Sequence, residues 1–331
     1  KIIKDNIIKG IYGKFEIKDL LNACIDVTDI NGDNKIYANN NAIVNYRINP
    51  NPLNVTDVIR DGKKPPNKII LSNLKINGLI PKGLTLSNNN SVDGNLESDG
   101  STRIHTNGMK DIVYNLKGNQ YVANSIDEKV DVIVKSVGNF VFKEDQNTVG
   151  FNLKYEDKET KPMLENFKGS SVSINEPTKI EKFGILDSAS SDNIKDASEG
   201  VQVVNGIPLK IAILADVKSP NSIIDLGFNS QNIKVSNEEN PHFKVKIYNK
   251  GNLINCEKEF TIDKLEGSLI EGLNSGIKIS GLDVGEKVIV IELIPNKIEI
   301  NNSALLKTKV ENSNDKEHLA KLDYAEMPDV F

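Results

Sequence analysis

One order of segments occurs twice in this chain. Near the middle, Asp127-Glu128-Lys129-Val130-Asp131-Val132-Ile133-Val134 leads on to Asn147-Thr148-Val149-Gly150-Phe151-Asn152-Leu153. Near the end, Leu282-Asp283-Val284-Gly285-Glu286-Lys287-Val288-Ile289-Val290-Ile291-Glu292-Leu293 leads on to Asn302-Ser303-Ala304-Leu305-Leu306-Lys307-Thr308-Lys309-Val310. In each copy an acidic turn launches a strand with period-two character, a short connection follows, and an Asn opens the last strand. Side chains two residues apart along a strand share a face, so each copy must bury one side of a sheet against something else. A chain that does this twice is expected to fold as two domains of one β type.

Length agrees. At 331 residues the chain exceeds a single sandwich of about 100 residues and suits two or three. With 38% hydrophobic residues it can fill ordinary cores. The net charge of −5 is small, with both signs interspersed, and this argues against a nucleic-acid partner. No run of about 18 apolar residues exists, so no membrane span is expected in this fragment. The chain starts at Lys1 without an initiator Met, a signal peptide or a Leu-Pro-x-Thr-Gly sorting sequence. It is therefore read as a processed or excised piece whose export signal and anchor lie outside it.

The turn Ile80-Pro81-Lys82-Gly83-Leu84-Thr85-Leu86, followed by the acidic-turn strand and an Asn-Thr strand, resembles the β-sandwich repeat of bacterial and archaeal cell-surface proteins. That pattern runs roughly Leu-Pro-x-Gly-Leu, Leu-x-x-Gly-Glu, Asn-Thr-Ala. The first copy lacks the Gly of the acidic turn, and the second carries Leu269-Ile270-Glu271-Gly272-Leu273 where the Pro-x-Gly turn would be. The resemblance covers roughly residues 40–157 and 200–312. It implies an all-β fold of two tandem immunoglobulin-like β-sandwich domains, as in adhesin, pilin and fibre modules, at an extracellular or cell-surface location. The expected layout is an N-terminal extension strand over 1–25, a first sandwich over 26–157, a linker with one short strand over 158–199, and a second sandwich over 200–331. Lys, Glu, Ser, Asp and Pro dominate the linker region.

Within the extension, Ile11, Phe15 and Ile17 fall on a period-two pattern. Two readings compete: a first strand of the adjoining domain, or a free apolar strand that inserts into the open sheet edge of a neighbouring subunit. Residues 26–40 carry the first half of a calcium loop, with Asp29, Asn31 and Asp33 at positions one, three and five and the Lys35 carbonyl at seven. Asn34 replaces the turn glycine and Asn40 the closing carboxylate. The rival reading is a plain Asn-Gly-Asp-Asn turn, so calcium is the one cofactor weighed. The stretches 49–66 and 88–100, rich in Pro, Asn, Asp and Gly, read as surface loops in which a host protein or glycan ligand would be recognised. The tail 316–324 reads equally as a short helix or a last strand.

Catalytic signals are weak. His105, His242 and His318 are isolated in sequence and sit in no zinc or triad pattern. With no Trp, a sugar-handling cleft is a poor expectation, and the chain is read as a non-enzyme. Cys24 and Cys256 fall in different domains, which leaves two buried thiols or a disulfide between subunits or modules. The resemblance adds one chemistry, the Lys–Asn isopeptide crosslink that surface sandwiches often carry. It needs a Lys amine and an Asn amide side by side in an apolar core with an acid beside them. Asn147 and Asn302 open the last strands, where such modules place the Asn, and Lys210 lies on an apolar early strand as the partner for Asn302. The expected function is an exported stalk or self-assembling fibre subunit acting through sheet edges, with loop-mediated adhesion as the alternative.

Overall fold

The computed structural model describes residues 20–58, 64–155, 158–159, 162–186, 193–204, 206–228, 243–262, 275–293 and 303–324. The chain divides into two compact units, residues 1–36 with 40–175 and residues 37–39 with 176–331. Both are almost wholly β, and each contains two principal sheets.

In the first unit, the strand Leu21–Asp29 buries Leu21, Ala23, Ile25 and Val27 and exposes Asn22 and Asp26, the alternation expected of a half-buried strand. It pairs antiparallel with Asn41–Pro50, which pairs with Ile126–Val134, and Leu84–Leu86 completes that sheet. The second sheet is built on the long strand Lys68–Ile80, with Thr148–Tyr155 on one side and Ile112–Lys117 and Thr102–Thr106 on the other. A bulge shifts the register opposite Phe151, where Asn73 takes a φ of 51°. It is visible in the apolar spacing: Ile69 and Leu71 are buried, then Leu74 and Ile76, with a step of three in place of two from Leu71 to Leu74.

The two sheets are tied through Asn147. Its side chain is fully buried, and Oδ1 accepts the Tyr46 hydroxyl from one sheet and the Leu79 N–H from the other, both at 3.0 Å. Its Nδ2 donates to the Lys143 carbonyl at 2.8 Å. Gly78 is needed here because a Cβ would lie 2.5 Å from the Tyr46 hydroxyl oxygen. The Pro81-Lys82-Gly83 turn forms as expected. Leu84 N–H donates to the Pro81 carbonyl at 3.2 Å, and Gly83 takes the positive φ of 102° that such a turn assigns to glycine.

The second unit has a six-stranded sheet ordered Ile194–Asp196, Thr178–Leu186, Leu209–Val217, Gly285–Leu293, Phe243–Asn249, Lys258–Ile262. Facing it is a five-stranded sheet ordered Val201–Val203, His318–Tyr324, Ser303–Val310, Ile224–Phe228, Ser275–Ile279. One core lies between them, including Ile211, Ile213, Ile289 and Ile291 from the first sheet and Leu226, Leu306 and Leu322 from the second. A smaller cluster of Ile194, Ala212, Leu214, Val288 and Val290 covers the outer face of the six-stranded sheet. Leu209–Val217 is therefore buried on both faces, which is why it reads as a continuous apolar run.

Four expectations need adjusting. Residues 158–199 are not a linker: Met163–Asn166 pairs with Thr148–Tyr155, Ser170–Asn175 pairs with Gly138–Phe142, and Thr178–Leu186 is a full strand of the second unit. A bulge between Ile180 and Lys182 breaks the alternation of that last strand and hides it among its charges. The expected extension 1–25 ends inside a strand of the first sandwich, since Leu21–Asp29 pairs along its whole length. The loop 88–100 contains Val92–Leu96, which forms a hairpin with Thr102–Thr106. The undecided tail is a strand, His318–Tyr324, paired with Ser303–Val310. The repeat itself has a structural meaning: in each unit the acidic-turn strand lies in one sheet and the Asn-opened strand crosses to the other.

Candidate functional site

The proposed calcium residues form a turn. Asp29 Oδ1 accepts the backbone N–H of Asn31 and of Asp33, each at 2.8 Å, and Asp29 N–H donates to the Asp33 carbonyl at 2.9 Å. Gly32 supplies a φ of 86°. One oxygen of the first would-be ligand is thus engaged in closing the loop, as an Asx turn does. Among the described residues no group of three His, Cys, Asp or Glu side chains is arranged to hold a metal ion.

The isopeptide placement is corrected at two positions. Lys210 has a half-exposed side chain lying 3.9 Å from its cross-strand neighbour Glu292, so its amine faces water and not the core. The Asn147 amide is buried as expected but is bound by Tyr46, Leu79 and Lys143. Asn302 lies outside the described residues, as do Ile11, Phe15 and Ile17. Cys24 and Cys256 are free thiols, neither fully buried. Burial, reinforced by Asp26, pushes the Cys24 thiol up and so disfavours its reactive thiolate.

A groove of about 1050 Å³ runs along the first unit. One wall is the unbroken stretch 25–32, and the other is residues 170–173 with Asn175. Arg47 and Lys129 also line it, with Arg47 held by Asp26 at 3.6 Å and Asp127 at 3.2 Å. A wall made of consecutive residues is the edge of a strand, and Leu21–Asp29 is an edge strand of its sheet. Outside the ladder, the Ala23 carbonyl accepts Lys168 N–H at 2.9 Å and Asp29 N–H reaches Asp33. Backbone groups of alternate residues point to the same side of an antiparallel strand, so those of Ile25 and Val27 turn into the groove. Sequence reasoning placed the interesting strand before residue 18 and missed this receiving edge. Its signal was the alternation of Leu21, Ala23, Ile25 and Val27 at the start of a sheet.

A second cluster lies at one corner of the second unit. Lys287 has a side chain only 6% exposed, and its Nζ donates to Asn249 Oδ1 at 2.5 Å and to Glu257 Oε2 at 3.0 Å. The Asn249 Nδ2 in turn donates to the other Glu257 oxygen, Oε1. Asn249 and Lys287 are directly opposite each other on neighbouring strands, and the hairpin after Asn249 returns Glu257 beside them, its N–H bonded to the Ile247 carbonyl at 2.9 Å.

No protein-family model matches the chain, and no curated protein matches it. Among solved structures the chain is similar to a putative membrane anchored protein from Corynebacterium diphtheriae, at 11% identity and a TM-score of 0.25, covering 93% of this chain and 92% of that one. It is also similar to the MSCRAMM ACE of Enterococcus faecalis, at 9% identity and a TM-score of 0.24, covering 91% and 95%. The collagen binding domain of surface protein RspB from Erysipelothrix rhusiopathiae gives 12% identity and a TM-score of 0.21, covering 94% and 99%. The β-sandwich assignment of each unit stands on its own strand pairing and cores.

Proposed function

We propose that this chain is an exported structural protein of a bacterial cell surface, a stalk or fibre subunit that assembles by strand addition. The observation that carries this reading is the groove whose wall is the edge of Leu21–Asp29. An extended segment laid there would gain main-chain hydrogen bonds from Ile25 and Val27 and would lengthen the four-stranded sheet. The occupant is the segment 11–17 of a second copy, whose Ile11, Phe15 and Ile17 have the alternation a pairing strand needs. The surface location rests on the resemblance of the Pro-x-Gly turn and the acidic-turn strand to surface repeats.

Electron microscopy and light scattering of the native chain beside a version lacking residues 1–17 test this. Filaments or oligomers in the native sample that disappear on truncation are expected. Monomers in both samples, or assemblies that survive truncation, overturn strand-mediated assembly. Monomers in both would move the reading to ligand binding, for which the hairpin of Val92–Leu96 and Thr102–Thr106, with Leu96 78% exposed, is the apolar surface to test.

A further inference from the structure

We infer that the second unit carries a second acceptor edge for the segment 11–17 of another copy, and that the Asp315 carboxylate holds this edge shut. The identity of the guest rests on the strand-addition reading; the edge and its cap do not. In the first unit the acidic-turn strand Ile126–Val134 pairs with Asn41–Pro50, which pairs with the edge strand Leu21–Asp29. In the second unit Gly285–Leu293 pairs with Leu209–Val217, which pairs with Thr178–Leu186, so that strand holds the equivalent place. Its far side is covered only in part: Ile194–Asp196 pairs with Gly184, Ile185 and Leu186 and, among the described residues, with none before them. A groove of about 950 Å³ runs along the bare part, with residues 179–183 as one wall and residues 315–319 as another.

The cap acts at Ile180. Its N–H donates to Asp315 Oδ2 at 3.4 Å, an oxygen that also lies 3.4 Å from His318 Nε2. Asp315 Oδ1 accepts the Lys316 N–H at 2.9 Å, which fixes the carboxylate in that place. A guest strand would bring a backbone carbonyl to the Ile180 N–H. There it meets a carboxylate oxygen, acceptor against acceptor, and the edge stays unpaired. The bulge between Ile180 and Lys182 bends the strand and guards the same edge. At the first unit's edge, among the described residues, no side chain accepts the N–H of Ile25 or Val27. With Asp315 withdrawn, charge selects this guest. Lys179 and Glu181 are exposed on either side of the buried Ile180. In the antiparallel register that sets Phe15 opposite Ile180, Glu16 falls opposite Lys179 and Lys14 opposite Glu181, two cross-strand pairs of opposite charge. A parallel guest at the same place would set lysine against lysine and glutamate against glutamate.

The test titrates a synthetic peptide of residues 11–17, Ile-Tyr-Gly-Lys-Phe-Glu-Ile, into the full-length chain whose own segment is silenced by Phe15→Pro, and counts binding by isothermal titration calorimetry. One peptide per chain is expected with Asp315 in place and two with Asp315→Ala. Asp315→Asn, which keeps an acceptor oxygen for Ile180, is expected to return the count to one. In the Asp315→Ala chain, Lys179→Glu is expected to weaken the second site several-fold, and a peptide carrying Glu16→Lys to restore it. A folded Asp315→Ala chain that still takes one peptide overturns this inference and leaves strand addition at Leu21–Asp29 standing. No peptide on the parent chain and one on the Asp315→Ala chain supports this inference and overturns the first edge as acceptor. Two peptides on the parent chain overturn the cap, and a Lys179→Glu chain that binds as before overturns the charge pairing that selects the guest. If Asp315→Ala does not fold, Asp315→Ser, a shorter side chain that can still accept the Lys316 N–H, is read in the same way.

Discussion

Single residues explain where this fold is tight and where it is strained. Asn147 was noticed for its position at the head of a strand; its role is to satisfy a tyrosine hydroxyl and a backbone N–H that would otherwise be buried without partners. Burial pushes the Tyr46 hydroxyl up, so it remains a donor to that amide. Asp225 is the opposite case. It is only 4% exposed, and among the described residues its Oδ1 has no hydrogen-bond partner. Burial, with Glu311 adding to it and Lys278 and Lys309 opposing, pushes its carboxyl from 3.8 up to about 6. The native state therefore holds a proton that the unfolded chain releases. The stability this provides is complete below about pH 4 and is lost as pH rises through 6. Asp225→Asn mimics the protonated form, and urea titrations from pH 4 to 8 are expected to show a flatter stability profile. Near pH 7 the variant should be more stable than the native chain by roughly 2–3 kcal/mol, whereas equal profiles would place Asp225 in a solvated site.

Strands show how much the sequence allows to be read. The apolar run of Leu209–Val217 and the Pro81-Lys82-Gly83 turn are local patterns and were legible, whereas the alternation over Leu21–Asp29 went unread because the calcium-loop pattern that starts within it drew the boundary at Asp26. Thr178–Leu186 was not, because its bulge puts Ile180 and Phe183 three residues apart and breaks the period-two pattern. The Val92–Leu96 strand was hidden for a different reason: only Val92 of its five residues is buried, so composition reads it as a loop. The bulge in Lys68–Ile80 does visible work, since Asn73 returns Leu74 and Ile76 to the core face after Leu71. Inserting one residue between Leu74 and Lys75 is expected to turn the rest of that strand over and unfold the first unit, because a one-residue slip moves every side chain to the other face. Scanning calorimetry would then lose the first unit's transition and retain the second's. A native-like thermogram would contradict this account of the bulge. The candidate sites were less legible than the strands. The Lys287 cluster joins residues from a strand end, a hairpin and a neighbouring strand, and only the fold brings them together. Lys210 looked better in sequence because its neighbours are apolar, but the alternation turns it to solvent.

At the scale of the whole chain, two β-sandwiches occur in series, each with its own core, and the first offers a sheet edge beside a groove. Natural edges are usually blunted by charge, proline or cover. Here Asp26 and Arg47 stand at the groove, but the backbone of Ile25 and Val27 faces it. An assembly built on that edge has two separable halves, a donor strand near the N-terminus and an acceptor edge. The most direct measurement removes one half from each of two proteins and then mixes them. A chain lacking residues 1–17 keeps only the acceptor. A Val27→Pro chain keeps the donor but loses an edge N–H at a place where proline is tolerated, since that N–H is outside the ladder. Sedimentation velocity of each alone is predicted to give monomers, and of the equimolar mixture a one-to-one complex that grows no further. Two unchanged monomers in the mixture, with both proteins folded and the native chain assembled, would contradict strand addition at the Leu21–Asp29 edge.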